Sequence, residues 1–287
     1  AKYAPKERAA ADIVFKNAGD ALPDFKRAQK LYVDARARYE EAIRVASERR
    51  RLEEEKKMRP PMIMADIEFV WIPPGTFLMG DAEGRVEEKP VHQVNITHGF
   101  WMSRYPITQG QWYEVMGSNP SGFRGNDALP VETISWDDCK AFIEELNELF
   151  GPGFRLPSES EWEYACRAGS NGQWCFGDNK SQLDEYAWHP DNAGGRTHPV
   201  GEKTSNAWGL HDMHGNVCEW CEDHWHRNYM FAPTDGGPRR EENEKDRVSR
   251  GGSWCILAPE CRAAWRGWHA PADTAADFMG IRLCHDK

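Results

Sequence analysis

At 287 residues the chain is long enough for one large domain plus an appendage, and it can bury a core without disulfide staples. Lys and Arg number 36 against 46 Asp and Glu, and the formal net charge of -10 gives no electrostatic reason to bind nucleic acid or an anionic membrane surface. No apolar stretch approaches the roughly 20 residues that span a bilayer, and the first residues lack the charged and apolar regions of a signal peptide.

Residues 1–58 carry no Trp and read as helical. Phe25, Ala28, Tyr32, Ala35, Tyr39, Ala42 and Ala46 follow an alternating 3-4 spacing that lines one face of a helix. Asp24, after Ala-Leu-Pro, is a plausible N-cap, which leaves room for a shorter helix over 6–18. The small-residue seam serves equally a stalk that docks a partner or a helical hairpin packed on its own domain. The Glu/Lys run at 53–57 and Arg59-Pro60-Pro61 end the helical segment, and 59–68 reads as a linker.

From residue 69 the texture changes to short apolar runs broken by Gly, Pro and Asn. Pro73-Pro74-Gly75 sets a turn between strands at Phe69–Ile72 and Thr76–Met79. Thr108-x-x-Gln111, Ser135-x-x-Asp138 and Ser158-x-x-Glu161 each read as an N-cap with its N3 partner. The helices behind them offer Trp112/Val115/Met116, Phe142/Leu146/Leu149 and Trp162/Ala165/Cys166 as buried faces. Beyond residue 170 no long helical period survives, and the class is α+β with long structured loops. Cys218-Glu219-Trp220-Cys221 has the spacing of a redox pair or half a zinc site, but no second CxxC or HxxxH completes a tetrahedral set. Thirteen Trp residues mark the irregular part as a candidate for ligand recognition.

The blocks Phe69–Gly80, Pro106-Ile-Thr-Gln109, Pro130–Trp136, Phe154–Ala165, Gly209–Trp220 and Arg250-Gly-Gly-Ser-Trp254, closed by Gly280-Ile-Arg-Leu283, resemble the formylglycine-generating-enzyme or sulfatase-modifying-factor family. The resemblance implies a C-type-lectin-like fold with little regular secondary structure over 69–287, preceded by the helical segment. Gly251-Gly252 would give the backbone freedom for a sharp bend or a close approach.

The family's enzymes oxidise a sulfatase cysteine with oxygen, using a copper-binding Cys-x4-Cys pair after Gly-Gly-Ser-Tyr; soft thiolates suit Cu(I). Here five residues separate Cys255 and Cys261. Set against the family's Arg-x-Ala-Ala-Arg, the Arg262–Arg266 segment puts Cys261 outside the second catalytic position, which falls near Ala258. The resemblance therefore implies that the oxidase chemistry is lost, with a copper-dependent oxidase as the alternative. It also places a calcium site at the carbonyls of Gly215 and Val217 and the side chain of Glu219, against which stands a purely structural carboxylate bonded to its neighbours.

Family members without the catalytic pair usually fill the following stretch with Asn. This chain instead puts Cys255, Ile256, Leu257, Trp265, Trp268, His269, Ala270, Thr274, Asp277 and Phe278 into it. That departure resembles the variable proteins of diversity-generating retroelements, in which template adenines are randomised. An AAC codon randomised at both adenines reaches Cys, Ile, Leu, Ala, Pro, His, Asp, Thr and Phe, whereas Trp265, Trp268 and Glu260 need other codons. The resemblance implies a non-catalytic, receptor-type display protein with a variable region at about 250–283. It would bind a protein or other macromolecular ligand without a required cofactor, and sit at the cell surface through an N-terminal lipid anchor.

Overall fold

The computed structural model describes residues 30, 32–44, 46–47, 62–241 and 244–286. The chain divides into two compact units, Ala1–Met58 and Arg59–Lys287. In the first, residues 30, 32–44 and 46–47 are helical, as the seam spacing requires, with Val33, Tyr39 and Ile43 exposed. The expected helix over 6–18, and Phe25 and Ala28 of the seam, lie outside the described residues. No described helix is long and apolar enough to cross a membrane.

The second unit is built on three sheets. The largest has the order β1-β2-β5-β11-β6, from β1 (Met62–Met64), β2 (Ile67–Ile72), β5 (Phe100–Ser103), β11 (Cys284–His285) and β6 (Phe154–Arg155), all antiparallel. Since β1 and β2 pair from Met62↔Phe69 to Met64↔Ile67, residues 62–68 belong to the domain, which corrects the linker expected over 59–68. The apolar run Ile67-Glu-Phe-Val-Trp-Ile72 is long enough to bury both faces of β2, and only Glu68 is half-exposed. β11 threads between β5 and β6, so the last residues of the chain complete the sheet begun by the first strands.

A second sheet, β10-β7-β8-β9, joins β7 (Cys218–His224), β8 (Asp246–Arg250), β9 (His269–Pro271) and β10 (Met279–Gly280); β10 runs parallel to β7. The turn after β2 carries the chain into a separate hairpin of β3 (Gly75–Met79) and β4 (His92–Ile96).

Three helices are set by their caps. Thr108, Ser135 and Ser158 open α1 (Gln109–Met116), α2 (Trp136–Phe150) and α3 (Glu159–Arg167), each with a reciprocal capping box. Such a cap is worth about 1 kcal/mol and fixes where the helix begins. Trp112 of α1 stacks on Phe142 of α2 at 4.6 Å, and α2 also buries Cys139, Ile143 and Leu146. Leu149, expected on that face, is 61% exposed because the last turn of α2 runs past the core. A fourth, single-turn helix, α4 (Leu183–Tyr186), is the only α-helix described after residue 170.

Every residue of α3 is buried, Glu159, Glu161, Glu163 and Arg167 included. Buried carboxylates are tolerable only when paired and hydrogen-bonded. Glu163 meets Arg167 at 2.8 Å and Arg250 at 2.5 Å, and Glu159 meets Arg250 at 3.0 Å. This ionic skeleton at the centre of the fold also holds the candidate site.

Candidate ligand-binding face

The segment after β8 is a loop fastened at intervals. Gly251 and Gly252 have φ of +106° and +73°, and Gly252 lies so close to the Cys261 sulfur that a Cβ would be 2.7 Å from it. Trp254 donates its backbone N–H to the Asn216 carbonyl and its indole N–H to the Asp277 carbonyl. Arg262 reaches Asp81 at 2.8 Å and Glu88 at 2.8 Å. Arg266 grips both oxygens of Glu159 and donates to the carbonyls of Glu87 and His226. Arg250 donates to the carbonyl of Ala263. Residues 261–266 thus form a spine bolted to the skeleton, with one loop before it and a longer one after it.

The expected binding residues divide accordingly. Leu257 is 63% exposed at the tip of the first loop, where Cys255 and Ile256 are half-buried and Ile256 packs inward. In the second loop His269 and Asp277 are exposed, and Trp268, Thr274 and Phe278 are half-buried. Trp268 sits edge-on to Phe278 at 4.9 Å, and His269 stacks on Trp225 at 4.1 Å while its Nδ1 lies 2.7 Å from Asp246.

Two placements on the face are corrected. Trp265 is 2% exposed and part of the core, because its indole fills the space directly beneath Gly267. Ala270 is 5% exposed, since the inward position of β9 covers it. Phe123 and Trp254, which the sequence did not single out for binding, join the face: their rings meet edge to face at 5.3 Å, and both are half-buried.

The two cysteines of the expected catalytic stretch lie in different settings. Cys261 is fully buried, its Sγ set against the carbonyls of Ile256 and Leu257, and burial pushes its thiol up to about 12. Cys255 rests on the Ser253 hydroxyl at 3.3 Å, and partial burial raises its thiol too. Cys218 and Cys221 are both fully buried in β7, in separate core clusters, which removes them as half a zinc site.

The calcium set fares no better. Glu219 is fully buried and its carboxylate is taken by Arg282, at 2.9 and 3.1 Å, and by the Trp162 indole N–H at 2.6 Å. The Gly215 carbonyl accepts from the N–H of Val217. A cation at Glu219 would face the Arg282 guanidinium, so the residues as arranged fit an ion pair and not calcium. Among the described residues no group of three or more His, Cys, Asp and Glu side chains could hold a metal ion.

The curled sheets, few helices and long fastened loops define a formylglycine-generating-enzyme-like C-type lectin fold. A family model, the Sulfatase-modifying factor enzyme 1-like domain, matches residues 55–287, and the chain belongs to that family. It is 31% identical over 238 residues to the chaperone protein LppX of Paenibacillus barcinonensis, covering 66% of this chain and 80% of that protein. It is 31% identical over 222 residues to the formylglycine-generating enzyme of Mus musculus, covering 71% of this chain but 56% of the enzyme. Among solved structures, PvdO from Pseudomonas aeruginosa superimposes with a TM-score of 0.73 at 28% identity over 79% of this chain and 98% of PvdO. Treponema denticola variable protein 1 does so with a TM-score of 0.71 at 26% identity over 79% and 99%.

Proposed function

We propose that this protein is a non-catalytic, receptor-type binding protein whose two loops, at 254–257 and 267–278, display a recognition surface diversified by a retroelement. The observation that carries this reading is the contrast within one segment: residues 261–266 are buried except for half-buried Arg262 and are bolted to the ionic skeleton, while the flanking loops put Leu257, His269 and Asp277 into solvent. Side chains at exposed tips of a rigid frame can be exchanged at little cost to stability, and aromatic anchors beside them favour binding hot spots. The likeness to a variable protein of Treponema denticola supports the reading, as does the five-residue spacing of Cys255 and Cys261 in place of Cys-x4-Cys. The ligand is a protein or other macromolecule, and the protein is held at the cell surface by a lipid anchor.

Incubating the full chain with copper, oxygen and a cysteine-containing sulfatase peptide tests the loss of catalysis. No formylglycine should form and Cu(I) should not bind tightly. Turnover that disappears in Cys255→Ser would establish the oxidase instead.

A further inference from the structure

Arg250, Arg262, Arg266 and Arg282 each have a carboxylate within 3.0 Å. Arg247, which is half-buried, forms no such ion pair. It stands on β8 with its guanidinium laid over the Trp136 indole, 3.8 Å from the ring centre. Its Nε has no hydrogen-bond partner, and its one hydrogen bond to protein is a long one, 3.5 Å, to the backbone carbonyl of Glu222.

Two further cations stand beside it. Lys140 of α2 and Arg240 share the single carboxylate of Glu222, at 3.1 and 3.0 Å, and Lys140 also faces the Trp136 ring. His224, opposite Arg247 in the β7–β8 register, accepts the N–H of Glu241 at Nδ1, which leaves the proton on Nε2. Burial, and after it Arg247, holds His224 below the usual histidine value; burial, with Arg240 adding to it against Glu222, Asp137 and Asp223, holds Arg247 below the usual arginine value. Lys140, Arg240 and Arg247 thus gather around Glu222, which Lys140 and Arg240 already occupy, while Asp137 and Asp223 act on Arg247 only at longer range, in a chain whose net charge is -10.

We infer that this outer face of β7 and β8 binds an oxyanion, the carboxylate or phosphate group of a ligand, with Arg247 as the principal donor and Arg240 as the second. A guanidinium stacked on an indole has already lost its rotational freedom, and its planar edge suits two parallel hydrogen bonds to an oxyanion. The site does not depend on the loop-face reading: Arg247 pairs with Ala270 of β9, at the rim of that face, and uses none of its exposed residues.

Calorimetric titration of the full chain at low ionic strength, with inorganic phosphate and separately with acetate, tests the inference. Saturable one-to-one binding of at least one anion is expected; preference for phosphate or for acetate identifies the group recognised. Arg247→Met, which keeps an apolar stem over Trp136, should weaken binding about tenfold or more, since a charge-assisted hydrogen bond is lost. Arg240→Gln changes a side chain 63% exposed, so it should weaken binding with the melting temperature unchanged. The inference is overturned if neither anion saturates, or if both variants bind as the wild type does.

Discussion

Arg266→Met separates frame from face most sharply. Glu159 is 5% exposed and is held by Arg266, by Arg250 at 3.0 Å and by the Tyr229 hydroxyl at 3.2 Å. Losing Arg266 strips both Glu159 oxygens of their strongest donor and frees the carbonyls of Glu87 and His226. Breaking a buried pair by removing one partner costs about 3–5 kcal/mol when the remaining charge is left uncompensated; Arg250 still pairs with Glu159, which puts the loss at the low end, about 3 kcal/mol. For a domain of this size that lowers the melting temperature by about 6–12 °C. Leu257→Ala, at a tip 63% exposed, should stay within about 0.5 kcal/mol of the wild type. Thermal unfolding followed by circular dichroism measures both. Equal losses in the two variants would refute the division of the segment into bolted spine and free tips.

Three more outcomes follow from the same geometry. Glu219→Gln leaves Arg282 buried against a neutral amide and should lower the melting temperature equally with and without chelator; a chelator that erases the difference would restore calcium to the site. His214 is fully buried with Nδ1 on the Cys261 carbonyl, and burial lowers its pKa from 6.5 to about 4. The unfolded chain then binds the proton first, so this contribution is complete above pH 6.5 and is lost as pH falls toward 4; the stability gap between wild type and His214→Gln should narrow over that window, and a constant gap would remove His214 as a source of acid sensitivity. Gly267→Ala drives a Cβ into the Trp265 indole and should destabilise the fold although Gly267 is exposed, whereas an unchanged melting temperature would show that the ring is not fixed there.

What the sequence made legible is what is local. Thr108, Ser135 and Ser158 announce their helices because cap and N3 partner lie three residues apart and need nothing else. The boundary at 59–68 is not legible locally because β1 is a three-residue edge strand defined by its pairing with β2. Trp265 and Trp268 look alike in the sequence, yet one is core and the other lies against Phe278, a distinction made by Gly267 and by the anchoring of Arg266. The partners of that anchor are 107 and 179 residues away, at Glu159 and Glu87, beyond the reach of any local pattern. Glu219 likewise reads as a ligand in its own motif and is taken by Arg282 from the end of the chain.

The most direct test of a diversified loop face on a fixed frame is sequencing of the genomic DNA around the gene. A nearby template repeat of the 250–283 coding stretch is expected beside a reverse transcriptase gene, differing from it only at adenines. Those differences should fall in codons for the flanking loops, such as those of Leu257, His269 and Asp277, and spare those of Arg262, Arg266 and Gly267. A locus with no such repeat, or with adenine differences concentrated in the 261–266 spine, would contradict it.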